Sequence, residues 1–192
     1  MSDASVSSVD LGLFGLLDNG VLWWGLAACG VAQLSKLLIE LVVHRRWNPK
    51  VLVETGGMPS SHSALMTGTA ACIGWQHGFD GALFALGATL SFVVLYDASG
   101  VRRAAGLTAA RVNQLVASQA DGAAHHAADR DASDNTAAEG PAFKALKENL
   151  GHTRLEVLIG SLMGPLVALP GLVWIGSPWQ LAISLGLVPP VG

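Results

Sequence analysis

Gly56-Gly57-Met58-Pro59-Ser60-Ser61-His62-Ser63 stands immediately before an apolar stretch at 64–79. Two glycines let the backbone approach a ligand closely, and Pro59 fixes the way into a helix. Two serines supply hydroxyls and N-cap chemistry, and His62 falls in the first turn. A helix N-terminus presents free N–H groups and the positive end of the dipole, so it favours an oxyanion such as phosphate. A histidine beside bound phosphate can move protons near neutral pH. Placed at the mouth of a membrane-length apolar segment, this cluster implies phosphate chemistry at a bilayer surface.

The rest of the chain agrees with a bilayer. Its 192 residues suffice for one domain. They are 51% hydrophobic and 13% charged, against a usual charged share of about 25%. The mean hydropathy is +0.47. The net charge of −3 comes without a basic patch, so a nucleic-acid partner is not expected. Cys29 and Cys72 lie inside apolar stretches and form neither a disulfide framework nor a metal-ligand spacing. Asp3, Asp10 and Asp18 occupy an N-terminal stretch without Lys or Arg, unlike the basic start of a secretory signal.

Apolar stretches at 20–43, 64–79, 81–96, 155–174 and 178–190 predict an all-α integral membrane bundle of about five transmembrane or re-entrant helices. Residues 1–19 form an N-terminal extension, whose apolar part (11–19) is read as interfacial or as a packed extension. The helical domain covers 20–174, with a solvated linker at 118–140, and 175–192 form a C-terminal apolar helix. His125-His126, inside the linker, are adjacent and face different ways on a helix, which argues against metal. Residues 141–150 are expected to form a short amphipathic surface helix.

With five crossings, Arg45, Arg46, Lys50, Arg102, Arg103, Arg111, Arg130, Lys144, Lys147 and Arg154 share one side, and Lys36 lies near that end of the first span. The positive-inside rule makes that side cytoplasmic. A span more or fewer is expected to split the cations. The tryptophans at 23, 24, 47, 75, 174 and 179 mostly fall near span ends, as interfacial anchors should.

Three polar clusters then share one face: Lys36 with His44-Arg45-Arg46 and the Gly56–Ser63 loop, Tyr96-Asp97-Ala98-Ser99-Gly100-Val101-Arg102-Arg103, and Gly151-His152-Thr153-Arg154-Leu155-Glu156. His152 and Glu156 are four apart and share a helix face, so the carboxylate can hold the imidazole tautomer. Arg102 and Arg103 carry guanidinium forks suited to phosphate, or else anchor a helix end to anionic headgroups. Lys36 binds phosphate or snorkels to the interface. Asp97 is expected to cap a helix or pair with an arginine.

Gly-Gly-Met-Pro-Ser-Ser-His-Ser, Asp-Ala-Ser-Gly-Val-Arg-Arg and Leu-Gly-His-Thr-x-x-Glu-Val-x-x-Gly, in that order, resemble the divergent branch of the phosphatidic acid phosphatase type 2 superfamily, over about residues 20–170. That superfamily also contains the vanadium-dependent haloperoxidases. The resemblance implies metal-independent, cofactor-free hydrolysis of a phosphomonoester or pyrophosphate through a phosphohistidine. His152 would attack phosphorus, oriented by Glu156 in place of the family's aspartate, and His62 would protonate the leaving group. N–H groups around Ser60 and Ser61, with Lys36 and Arg102 or Arg103, would hold the phosphate oxygens. The partners implied are membrane lipids, among them an amphiphilic phosphate substrate.

The chain departs from the better-known members in three places. Their Lys-x6-Arg-Pro becomes Lys36 with Arg45 and Arg46 at wider spacing. Their Pro-Ser-Gly-His becomes Pro59-Ser60-Ser61-His62. Their Ser-Arg pair before the nucleophilic histidine is absent, with Leu146 at the arginine position and Lys147 beside it. The expected function is a membrane lipid-phosphate phosphatase with a cytoplasmic-facing pocket. The alternative is a non-catalytic membrane protein that binds anionic lipid or phosphate as a scaffold or regulator.

Overall fold

A computed structural model describes residues 15–43, 45, 47–52, 57–128, 144–148 and 150–188, without the side chains of Lys50 and 121–128. The expected roles of His44, Arg46 and Gly56 fall outside these residues. The elements are α1 (Gly20–Val43), a 3-10 turn (Pro49–Leu52), α2 (Ser61–His77), α3 (Ala82–Tyr96), a π-turn (Asp97–Val101), α4 (Arg102–Ala128), α5 (Arg154–Trp174) and α6 (Pro178–Ser184). Helix α2 is the hub, packed against α1, α3 and α5, while α1 also meets α5. The all-α membrane bundle expected from the sequence is therefore present.

Small residues let these helices close on one another. Gly25, Ala28 and Ala32 are buried on α1, Ala64, Gly68 and Cys72 on α2, and Gly160, Gly164 and Ala168 on α5. A Cβ at Gly164 would collide with the Ala64 carbonyl and the Thr67 hydroxyl, and one at Gly171 with the Trp24 ring. Meanwhile Leu34, Leu38, Leu86, Phe92, Leu162 and Leu166 point outward and are exposed. A helix with its bulk outside and its small residues inside suits lipid, where association relies on close packing rather than on hydrophobic exclusion.

Gly20–Val43, Ala82–Ala120 and Arg154–Trp174 are long and apolar enough to cross a membrane. Helix α2 has 17 residues, ends at Gly78, and is enclosed by the others. The C-terminal stretch differs from expectation: α6 has only seven residues, roughly 10 Å of helix, too short to cross. A turn follows at 185–188. Losing that crossing does not split the cations, because no Lys or Arg follows Arg154. The count therefore cannot fix the number of spans.

Two further expectations need correction. Residues 118–128, read as linker, continue α4, where alanine-rich sequence favours helix. Residues 144–148, read as an amphipathic helix, are irregular and lie along α4. Trp24 is also no simple interfacial anchor, since its Nε1 donates to the Gly176 carbonyl at 2.7 Å while its ring covers Gly171. The short N-terminal segment packs as an extension: Ser177 Oγ donates to Asp18, and Asn19 Oδ1 accepts from Leu22 N.

Gly164→Val should therefore destabilise the bundle by about 1–3 kcal/mol or more through overpacking. Gly30→Ala, where an added Cβ meets nothing within 4 Å, should be near neutral. Thermal unfolding in detergent distinguishes them; equal melting temperatures would contradict the packing described.

Candidate functional site

The helix ends meet as an up-and-down arrangement requires. The C-terminal ends of α1 and α3 lie with the N-terminal ends of α2 and α5, so all three polar clusters reach one end of the bundle. At the α2 start the Met58–Pro59 peptide is cis. Ser60 is the N-cap, its Oγ accepting from Ser63 N at 3.4 Å and from Ser63 Oγ at 2.9 Å. Its own N–H donates across the bundle to the Glu156 carbonyl at 3.1 Å. That contact needs Gly160, because a Cβ there would overlap the Ser60 backbone. Ser60 is thus a buried cap whose N–H is already used, which corrects its expected role as a phosphate donor. Ser61 N–H and His62 N–H remain at the first two helical positions, where an α-helix offers no acceptor.

The start of α5 is a capping box. Glu156 N donates to Thr153 Oγ1 at 3.3 Å, and Thr153 N donates to Glu156 Oε2 at 2.9 Å. The same Oε2 lies 3.2 Å from His152 Nδ1. With Nδ1–H donated to the carboxylate, Nε2 keeps the free lone pair. His152 is only 5% exposed. Burial pushes its pKa below the ordinary value, the Glu156 hydrogen bond opposes that, and Lys36 and His62 add to the lowering. The balance favours the neutral imidazole near pH 7.

The link between α3 and α4 supplies the third side. In its π-turn, Arg102 N donates to the Asp97 carbonyl, five residues back. Ala98 O accepts His152 N–H at 2.9 Å. Arg102 Nε donates to Asp97 Oδ2 at 2.6 Å. Gly151 has φ +82°, and its Cα presses on the Arg102–Arg103 backbone where no Cβ fits. Farther along α4, Asn113 Nδ2 donates to the Leu146 carbonyl and Glu148 Oε1, and Leu146 N donates to Asn113 Oδ1. Gly106 meets the Glu148 and Leu150 carbonyls. The segment leading to His152 is therefore held along α4 and the π-turn before it, from residue 113 back to 98.

These elements enclose a cavity of about 300 Å³ lined by His62, Val93, Val94, Asp97, Ala98, Arg102, Leu150, Gly151 and His152. Of the residues singled out from sequence, His62, His152 and Arg102 line it, and Glu156 stands behind His152. Arg103 is exposed and does not line it. Lys36 is buried at 4% exposure on the Ala28–Ala32 stripe and lies within electrostatic reach of Glu156 and His152. It is not among the residues that line the cavity, and its burial argues against snorkelling. Leu146 and Lys147 are exposed outside the lining, so the arginine in the cavity comes from α4. Sequence reasoning missed Asn113, carried Gly160 only as the last glycine of a motif, and flagged Asp97–Arg103 without reading its π-turn. Among the described residues no group of three or more His, Cys, Asp or Glu is arranged to hold a metal.

Because the folded chain binds the His152 proton less tightly than the unfolded chain, His152 favours folding above its ordinary value of 6.5. That contribution is lost as pH falls toward its lower, folded pKa. The parent's melting temperature should drop more between about pH 7 and about pH 5 than that of His152→Gln. Parallel pH profiles would count against a buried neutral His152.

A family model described as Divergent PAP2 family matches residues 17–167. The chain is 40% identical over 155 residues to the uncharacterized membrane protein YuiD of Bacillus subtilis, covering 80% of this chain and 94% of that relative. No solved structure matches. The match includes the Ser60–His62 helix start, the π-turn and the His152–Glu156 pair. The chain is an integral membrane protein and belongs to the divergent PAP2 family.

Proposed function

We propose that this protein is a lipid-phosphate phosphatase that hydrolyses a phosphomonoester or pyrophosphate at His152. The observation that carries the reading is the convergence of His62, His152 and Arg102 on one cavity, with His152 Nδ1 held by Glu156. Nε2 of His152 attacks phosphorus, forming an N–P bond as the bond to the leaving oxygen breaks. His62 gives that oxygen its proton. Water then attacks phosphorus, the N–P bond breaks, and His62 takes the proton from water. Arg102 and the N–H groups of Ser61 and His62 neutralise the phosphoryl oxygens, which is the main demand of phosphoryl transfer. Lys36, within electrostatic reach of Glu156, offsets its charge.

An amphiphilic substrate fits a cavity at the end of the bundle, with its tail left in lipid. Phosphatidate, phosphatidylglycerophosphate and isoprenyl phosphates share the required headgroup. The cation asymmetry supports a cytoplasmic-facing site. A second reading, a non-catalytic module for anionic lipid or phosphate, is favoured by the occupied Ser60 N–H and by Leu146 at the family's arginine position.

Phosphate release from a panel of lipid phosphates tests both readings. His152→Ala should abolish turnover, and His62→Ala should lower kcat by about 10²–10⁴-fold. His77→Ala, at the opposite end of the bundle, should leave it intact. A folded parent that binds phosphate and turns over none of the panel would establish the non-catalytic reading instead.

A further inference from the structure

We propose that Asp97 is the positioning residue for Arg102, holding its guanidinium so that the Nη edge meets a phosphoryl group; this rests on the phosphate-binding part of the reading above. In an α-helix residues five apart are rotated by about 140° and cannot pair face to face. The π-turn over Asp97–Val101 adds a residue to the turn and brings positions 97 and 102 together. The resulting contact joins Nε to Asp97 Oδ2 at 2.6 Å. Among the described residues Arg102 makes no further hydrogen bond from its side chain, so the Nη groups remain for an anion. Both residues line the cavity that holds His62 and His152.

The pair is not there mainly for stability. Its side chains are 58% and 38% exposed, and ion pairs so open to solvent contribute little to folding. Orientation is a different matter. A guanidinium fixed at Nε can offer its two remaining nitrogens as a planar fork, the geometry that suits phosphate oxygens. The same turn also fixes the nucleophile, because Ala98 O accepts His152 N–H. Five residues thus place both the cation and the imidazole in one frame. This gives Asp97-Ala-Ser-Gly-Val101 a role that neither its charge nor its apolarity announces. It also accounts for how an arginine on α4 can serve where the chain has Leu146 in the segment before His152.

A rival role for the carboxylate makes the opposite prediction. If Asp97 were a lid on Arg102, competing with phosphate for it, its removal would tighten binding. Binding of inorganic phosphate to the full chain in detergent, followed by titration calorimetry, separates these roles. KM for phosphatidate is measured in parallel. Asp97→Ala should weaken phosphate binding and raise KM by about tenfold, with kcat changed less. Asp97→Asn, which can still accept from Nε, should lose less. In an Arg102→Ala background Asp97→Ala should have no further effect. Melting temperatures confirm that each variant is folded. Unchanged or tighter binding in Asp97→Ala, or an equal loss with and without Arg102, would overturn the proposal. Coupled losses of binding in a parent without turnover would leave Asp97 as the positioning residue and overturn only hydrolysis. Turnover in the parent with uncoupled losses would do the reverse. A folded parent that binds no phosphate and turns over no lipid would overturn both.

Discussion

The arrangement depends on how closely α2 and α5 approach. Ser60 N–H reaches the Glu156 carbonyl only because residue 160 has no side chain. Four residues farther, Gly164 admits the Ala64 carbonyl and the Thr67 hydroxyl. In lipid, apolar surface gains nothing by leaving its surroundings for another apolar surface. Dispersion contacts and interhelical hydrogen bonds must hold the bundle, and both require short distances. The glycine stripe of α5 is thus the mechanical basis of the site, because it docks the His62 helix against the helix that begins just after His152.

From that contact the remaining geometry follows by short steps. The capping box that starts α5 spends Glu156 on Thr153 N–H and on His152 Nδ1 together. A residue that begins a helix therefore also fixes a tautomer. On the other side, α4 grips the chain leading to His152 through Asn113, Gly106 and the π-turn. His152 is held from two directions, by its side chain on α5 and by its backbone on the α3–α4 link. Burial favours the neutral form of an imidazole held this way, and the two contacts fix its orientation.

Much of this was legible in the residues. Helices α1, α2, α3 and α5 begin and end within a few residues of the apolar stretches, because Gly78, Gly81 and the Thr153 cap are strong local signals. The His152–Glu156 pair was expected from a shared helix face; the contact is present, but His152 precedes the Thr153 N-cap, so the capping geometry of Glu156 brings them together. Lys36 was ambiguous as a lone cation near a span end, yet its register with Ala28 and Ala32 turns it inward. Other features carried no readable signal. The π-turn has no sequence pattern of its own, and its consequence depends on His152, some fifty residues away. Residues 144–148 carry charges and leucine at helix-like spacing, but Asn113 captures the Leu146 backbone in place of a helical neighbour. The apolar stretch after Pro178 ends as a helix at Ser184, followed by a turn with Gly186 at positive φ.

Hydrolysis through His152, as proposed, requires a transient bond between its Nε2 and phosphorus. Rapid quenching under alkaline conditions during turnover of labelled phosphatidate, followed by peptide mass spectrometry, tests it directly. An acid-labile phosphoryl group is expected on the peptide carrying His152, formed and lost at rates consistent with turnover. Phosphate release with His152 unmodified at every time point, or a phosphoryl group on another residue, would contradict it.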